Sequence, residues 1–351
     1  MRGMVLAAGR GERMRPLSYR LAKPAIPVLN RPLVSYALRT LQRAGVRRAA
    51  VNLHHLPDTL EPVVRACTPK GMEVDLFREE RLLGTAGGAR NAATVLRGGP
   101  FFLTNGDFVL DVDPSETLAV HKRMGAVATM VLVPYEDQLG YSPVEVADDR
   151  VVRIAGRPES NALVGERHIF AGLHVVEPEI LDRIPPGEEV DINREIYPAL
   201  IAEGKTIAAH VVAGPWLEFG TPGEYLRRTL HLLSPEFRPF VEKLGFQVSG
   251  EGGDPVLVAD GARISDNVTL HAGVVLGEGC SVGREVKLRR TVVWSGAILG
   301  YNTDVSDSII GDGVILPPNS RFHHKTVLAR AEDIPPEAGG ERQGDLVFFR
   351  L

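Results

Sequence analysis

Met4-Val5-Leu6-Ala7-Ala8-Gly9-Arg10-Gly11-Glu12-Arg13-Met14-Arg15-Pro16-Leu17, followed by Lys23-Pro24, is the stretch from which the chain is read. A strand-length apolar run feeds a turn that carries two glycines and a cluster of arginines. Gly9 and Gly11 admit backbone dihedrals and close approaches that a side chain would block, so successive N–H groups can be aimed at anionic oxygens. Arg10, Arg13, Arg15 and Lys23 bring positive charge to the same stretch. A buried strand opening into a cationic glycine turn suits a triphosphate. On glycine spacing alone, a strand followed by an arginine-bearing surface loop fits equally well. Two better-known phosphate motifs are excluded by residue type. A Walker loop needs G-x-x-x-x-G-K-[ST], and Met14 stands where its second glycine belongs. The dinucleotide fingerprint needs that same glycine and an acidic residue about 20 positions later, ending a second strand.

Length and composition agree with a globular, ligand-binding chain. At 351 residues it exceeds the usual single core, so two domains are expected. Hydrophobic residues make up 44% and the mean hydropathy is -0.02, values of a soluble protein. The opening apolar run is far shorter than the roughly 20 residues of a membrane span and no signal-peptide cleavage pattern follows it, so a cytoplasmic location without membrane contact is expected. Cys67 and Cys280 lie far apart with no metal-ligand spacing, which argues against a disulfide framework or zinc site and for two small buried residues. The net charge of -4 excludes a nucleic-acid binder that relies on a general basic surface. Positive charge gathers before position 32, where Pro16, Pro24, Pro27 and Pro32 oppose a continuous helix, a pattern suited to a small anionic ligand.

The first two-thirds alternates strands and helices, the pattern of an α/β domain with a largely parallel sheet. Helices are expected over 34–44, closed by Gly45, and over 59–67, 86–96 and 115–124. Strands are expected over 49–53, 73–77, 101–103 and 128–133. In open sheets of this kind ligands sit at the carboxyl ends of the strands. Gly9 to Arg13 and Asn105-Gly106-Asp107 both fall at such ends, although Asn-Gly-Asp also serves as an ordinary turn. Leu83-Gly84-Thr85-Ala86-Gly87-Gly88 opens a helix that Thr85 is placed to cap.

The last third changes character after Gly250-Glu251-Gly252-Gly253-Asp254-Pro255. Apolar residues then recur every six positions: Val258, Ile264, Leu270, Leu276, Val282 and Leu288, with a second set at Ala262, Val268, Val274, Cys280 and Val286. The register slips near Thr291 and resumes at Val293, Leu299 and Val305. Hexapeptide repetition signals a parallel β-helix with inward apolar residues on each flat face.

The opening stretch with Lys23-Pro24 resembles the signature of the sugar-phosphate nucleotidylyltransferases, the NDP-sugar pyrophosphorylases. Asn105-Gly106-Asp107 resembles the segment whose aspartate holds the catalytic magnesium, and Trp216-Leu217-Glu218-Phe219-Gly220-Thr221-Pro222 the segment supplying a second carboxylate. Leu83-Gly84-Thr85-Ala86-Gly87 is similar to the base- and ribose-facing loop of mannose 1-phosphate guanylyltransferases. Gly11-Glu12-Arg13-Met14-Arg15-Pro16-Leu17 is similar to N-acetylmuramate 1-phosphate uridylyltransferase. The resemblance implies a Rossmann-like, GT-A-like α/β catalytic domain over 1–235, a linker over 236–254, a left-handed parallel β-helix over 255–325 and a tail over 326–351. It further implies nucleotide binding by Leu6, Ala7, Ala8, Gly9, Gly11, Glu12, Gly84, Thr85, Ala86, Gly87 and Gly106. Catalysis falls to Arg13, Lys23 and Asp107, sugar-phosphate binding to Gly140, Arg157 and Gly172, and magnesium to Asp107 and Glu218.

Two departures from the family pattern stand out. Glu218 replaces the usual aspartate, adding about 1.5 Å of bond length. Ile154-Ala155-Gly156-Arg157-Pro158 replaces a Glu-Lys-Pro segment, so Arg157 keeps a cation with a planar fork while Gly156 lacks a carboxylate for sugar hydroxyls. The implied reaction joins an NTP to a sugar 1-phosphate with release of pyrophosphate, GTP and mannose 1-phosphate or a related hexose or heptose phosphate being the first pair. The implied assembly is a homo-oligomer through the β-helix. Three alternatives stay open: a UTP- or dTTP-dependent enzyme for glucose 1-phosphate or N-acetylmuramate 1-phosphate, a catalytically silent subunit that senses sugar nucleotides, and a hexapeptide acyltransferase. His271 is the histidine inside the regular repeats that the last would need.

Overall fold

The computed structural model describes residues 1–136, 140–159, 165–250 and 253–351. They form two compact units, Met1–Arg10 with Leu33–Glu218, and Gly11–Pro32 with Phe219–Leu351.

The first unit is built on a nine-stranded sheet. Its spatial order runs Glu73–Arg78, Arg48–Leu53, Arg2–Leu6, Phe101–Asn105, Glu166–Val176, Ala128–Pro134, Ile207–Val211, Arg150–Ile154, Val144–Ala147. The first four strands are mutually parallel, as the alternation of strand and helix demands. Glu166–Val176 then enters antiparallel to both neighbours, and the two strands at the far edge are antiparallel as well. The sheet is therefore mixed rather than largely parallel. The antiparallel strands come after position 140, beyond the stretch in which strand-helix alternation is legible. Helix Leu33–Arg43 turns Leu33, Val34, Ala37, Leu38 and Leu41 inward at helical spacing. It ends at Gly45, whose N–H meets the Gln42 carbonyl while Val46 N–H meets that of Leu41. The helix expected over 86–96 is two pieces, Gly84–Asn91 and Ala93–Leu96, broken at Ala92. Met4, Leu103, Met130 and Leu132, all fully buried, belong to the core under the sheet.

His174 is sealed in that unit at 1% exposure, its Nδ1 3.0 Å from the Tyr197 hydroxyl and its ring 4.2 Å from Phe170. Burial pushes its imidazole down to about 3. An unfolded chain takes up that proton near pH 6.5, so this histidine's contribution is intact above that value and is lost as pH falls from about 6.5 toward 3. The thermal midpoint between pH 7 and pH 4 is expected to fall less steeply for His174→Gln than for the natural protein. Superimposable acid limbs would count against the assignment.

The second unit contains a four-stranded sheet of Arg263–Ile264, Ser281–Val282, Ile298–Leu299 and Ile315–Leu316, all parallel. A larger sheet runs Val256–Val258, Thr269–Leu276, Lys287–Val293, Asp304–Ile310 and Lys325–Leu328 in parallel. Strands pair at a separation of three hexapeptide steps up to His271 with Arg289, and one residue less from Val274 with Thr291 onward. The slip seen in the sequence near Thr291 is this register shift. Val282, Leu299, Leu316, Val286 and Cys280 are fully buried between the sheets. Val258 and Ile264, read as inward repeats, are instead exposed at 39% and 43%. They lie in the first strand of each sheet, which has a parallel neighbour on one side alone. Cys67 is half-buried rather than buried, and both cysteines are free thiols, with Cys67 pushed up to about 11 by burial. Within 236–254, Arg238–Lys243 is helical. Beyond 325, Leu346–Arg350 pairs antiparallel with Lys325–Leu328 and in turn with Glu341–Gln343, covering the open edge of the parallel stack.

Candidate active site

Strand Arg2–Leu6 lies parallel to Phe101–Asn105 with Leu6 opposite Asn105, and the Gly106 N–H donates to the Leu6 carbonyl at 2.9 Å. Ala7 to Arg10 and Gly106-Asp107 therefore open at the same carboxyl edge of the sheet. Immediately after Asp107, Phe108–Leu110 pairs antiparallel with Trp216–Glu218, which sets Glu218 opposite Phe108 and beside Asp107. Both carboxylates line one cavity of about 220 Å³ with Asn105, Tyr141, Phe170 and Trp216. Trp216 donates from Nε1 to the Ala171 carbonyl at 3.1 Å and meets the Tyr141 ring edge-on at 5.3 Å, so its indole is fixed as a wall of that cavity. Gly172 lines the same cavity. It stands at φ +92°, and a Cβ there would lie 2.4 Å from Phe108 Cε1, so no side chain fits between it and the strand carrying Glu218's partner.

A second cavity of about 590 Å³ is lined by Arg10, His54, Glu80, Arg81, Leu82 and Glu189. A buried chain of hydrogen bonds ties together the two turns near it. Ala7 N–H donates to Asn52 Oδ1 at 2.8 Å, Asn52 Nδ2 to Glu79 Oε1 at 2.7 Å, and Leu83 N–H to Glu79 Oε2 at 3.2 Å. Burial raises the Glu79 carboxyl, while the bonds from Asn52 and Leu83 oppose that rise. The helix Gly84–Asn91 starts at Gly84 with φ +69°, where a Cβ would stand 2.5 Å from the Val190 carbonyl oxygen. Thr85 does not cap this helix. Its hydroxyl accepts from Ile192 N–H at 2.8 Å, and the Ala86 and Gly87 amides donate to the Val190 carbonyl. At Gly9 an added Cβ would meet nothing within 4 Å, leaving open space beside the backbone of this turn.

A family model for nucleotidyl transferases matches residues 2–234. The chain belongs to the nucleotidyl transferase family. A second model, for the GMPPB C-terminal domain, matches residues 253–338. Among curated relatives, the mannose-1-phosphate guanylyltransferase of Mycobacterium tuberculosis is 31% identical over 300 residues, covering 84% of this chain and 79% of that protein. The probable mannose-1-phosphate guanylyltransferase 1 of Oryza sativa subsp. japonica is 28% identical over 352 residues, covering 95% and 92%. A UTP--glucose-1-phosphate uridylyltransferase of Synechocystis is 26% identical over 341 residues, covering 88% and 87%. Crystalline HddC from Yersinia pseudotuberculosis, complexed with GMP-PN, superposes with a TM-score of 0.53 at 21% identity over 64% of this chain and 96% of that one, a likeness of fold. The chain is a sugar-phosphate nucleotidylyltransferase.

In this transferase the remaining candidate residues are distributed as follows. Gly11 opens the short 3-10 turn Glu12–Met14, which Met14 anchors by full burial, and the Gly11 carbonyl accepts from Ser18 Oγ at 2.7 Å. Arg13 Nη1 lies 3.5 Å from the place a Cβ on Gly220 would take. Lys23 is buried at 8% exposure in a second 3-10 turn, Lys23–Ala25. Arg157 sits exposed on a tight turn closed by mutual backbone bonds with Ile154, and neither it nor Gly140 lines the cavity of Asp107 and Glu218. The cavity wall of Tyr141 and Trp216 and the buried Asn52–Glu79 pair were not singled out from the sequence. A lone tryptophan two residues before Glu218 was the available signal for the first. Glu79 precedes Glu80 and Arg81, which reads as a solvated charge run, so nothing marked it as buried.

Proposed function

We propose that this transferase joins GTP to mannose 1-phosphate, or to a related hexose or heptose phosphate, releasing pyrophosphate. The observation that carries the reading is the pairing of Glu218 with Phe108, which brings two carboxylates to one cavity at the carboxyl edge of the sheet. The relatives named for guanylyl transfer to mannose 1-phosphate support the choice of base and sugar. Asp107 and Glu218 would hold a magnesium ion. Two carboxylates, with no cysteine or histidine among the described residues lining the same cavity, make an oxygen donor set suited to a hard cation that keeps waters and phosphate oxygens. When bound, such an ion neutralises charge on the phosphates.

In the proposed reaction an oxygen of the sugar phosphate attacks the α-phosphorus in line. The bond from that phosphorus to the bridging oxygen breaks, and pyrophosphate leaves with the electron pair. The attacking phosphate is mostly dianionic at neutral pH, its second pKa being about 6, so no proton needs removing and no general base is required. The chain's part is positioning and charge. Gly9 and Gly11 offer amides to the triphosphate, Arg13 serves the leaving pyrophosphate, and Lys23 serves the α-phosphate. The Leu83–Gly87 turn serves the base and ribose, and Trp216, Tyr141 and Gly172 border the sugar. The second unit is read as a left-handed parallel β-helix, with the outward-facing Ile298 and Ile315, 44% and 61% exposed, supporting assembly of like chains. Pyrophosphate release tests the reading with GTP, UTP, dTTP, ATP and CTP, each against mannose 1-phosphate, glucose 1-phosphate and N-acetylated sugar phosphates. Release that requires GTP and mannose 1-phosphate together is expected. Release only with UTP or dTTP would overturn the choice of base.

A further inference from the structure

The segment Gly11–Pro32, which carries Arg13 and Lys23, packs with the C-terminal residues Phe219–Leu351 as one unit. Its attachment is made of specific bonds. Arg20, with only 9% of its side chain exposed, reaches both carboxylate oxygens of Asp312 at 3.5 Å, the Ala329 carbonyl at 3.3 Å and the Asp333 carboxylate at 3.6 Å. The Pro27 carbonyl accepts from the Tyr225 hydroxyl at 2.6 Å, and that hydroxyl accepts in turn from Trp294 Nε1 at 2.8 Å. Tyr225 and Trp294 are buried, and Trp294 follows directly on the strand Lys287–Val293. Asn30 Nδ2 donates to the Leu276 carbonyl at 2.9 Å, and the Arg31 guanidinium lies 3.9 Å from the centre of the Phe246 ring. Lys23 thus stands in a stretch tied down before it by Arg20 and after it by Pro27 and Asn30, each time to residues far along the chain.

We infer that the parallel-stranded part of the second unit holds the Lys23 segment in its working conformation, with Arg20 as the principal positioning residue. This rests on the role proposed above for Arg13 and Lys23. A guanidinium of low exposure that loses its carboxylates keeps the cost of desolvation without compensation, so the ties at Arg20 are sensitive to small changes in their partners. Asp312 and Asp333 are 39% and 47% exposed, so an ordinary surface role for them would leave stability and rate nearly untouched. A shift of about 1 Å in a charged group that acts on the reacting phosphates costs on the order of 100-fold in rate, so even partial loosening is measurable.

The test uses the full chain with the double variant Asp312→Asn/Asp333→Asn. Its kcat for pyrophosphate release is expected to fall about tenfold or more, with KM for the sugar phosphate unchanged and with restoration by Asp312→Glu/Asp333→Glu. Hydrogen exchange supplies an independent reading: peptides within 11–32 are expected to exchange faster in the Asn variant, while those from strand Lys287–Val293 stay at the natural rate. A kcat within twofold of the natural enzyme, or unchanged exchange over 11–32, overturns the inference. If the natural protein itself releases no pyrophosphate with any substrate pair, the functional reading fails, and the exchange measurement alone decides whether the clamp exists.

Discussion

Asp107→Ala is expected to lower kcat for pyrophosphate release about 1,000-fold, equivalent to about 4 kcal/mol of transition-state stabilisation. Asp107 ends the turn after strand Phe101–Asn105 and lies beside Glu218 through the pairing of Phe108, with both acids on one cavity. Under the proposed function Asp107 and Glu218 would hold one cation, and removing a charge from that pair would leave phosphate charge uncompensated at the step where it redistributes, so the loss is expected on kcat more than on KM for the sugar phosphate. Asp107→Asn keeps the volume and removes the charge, and should be nearly as damaging. Glu218→Asp shortens the reach by about 1.5 Å while keeping the charge, and is expected to retain activity within about tenfold. Initial rates at saturating substrate, with circular dichroism as the folding control, make the comparison. Turnover of Asp107→Ala within tenfold of the natural enzyme would sink the assignment.

Arg13→Ala and Lys23→Ala are each expected to cost about 100-fold or more in kcat, as removal of a single charged stabiliser does in other enzymes. Lys23 has the steeper dependence on residue type. It is buried at 8% exposure in the turn Lys23–Ala25, and a guanidinium is a larger, planar group than an ammonium, so Lys23→Arg should not restore activity. Arg13 is exposed on a turn anchored by the fully buried Met14, its Nη1 3.5 Å from the place a Cβ on Gly220 would take. The double variant is expected to lose less than the product of the single losses, because groups acting on one transition state are not independent. Near-normal turnover in both single variants would show that catalysis does not run through these cations.

Much of the first unit was legible because its signals are local. The apolar run before Gly9, the helix closed at Gly45 and the strand entering Asn105-Gly106-Asp107 each follow from periodicity and turn chemistry within a dozen residues. The family resemblance added the roles proposed for Arg13, Lys23 and Asp107, which spacing alone left open. What escaped depends on distant partners. Thr85 looks like a helix cap in sequence, yet its hydroxyl accepts from Ile192, more than a hundred residues away. Glu79 looks solvated, yet it bridges Asn52 and Leu83 from a buried position.

By itself, the sequence of this protein determined strands that run into a glycine turn and into Asn105-Gly106-Asp107, and a hexapeptide rhythm with a slip near Thr291. These are set by side-chain volume, backbone freedom and periodic burial along a short stretch of chain. Only the tertiary structure decided that Trp216 and Tyr141 wall the cavity of Asp107 and Glu218, that the sheet is mixed, and that Gly11–Pro32 packs with Phe219–Leu351 through Arg20, Pro27 and Asn30. The reason is that those features are long-range pairings. A carbonyl or carboxylate has the same appearance in sequence whether its partner is water or a donor hundreds of residues away, and chain closure in three dimensions makes the choice.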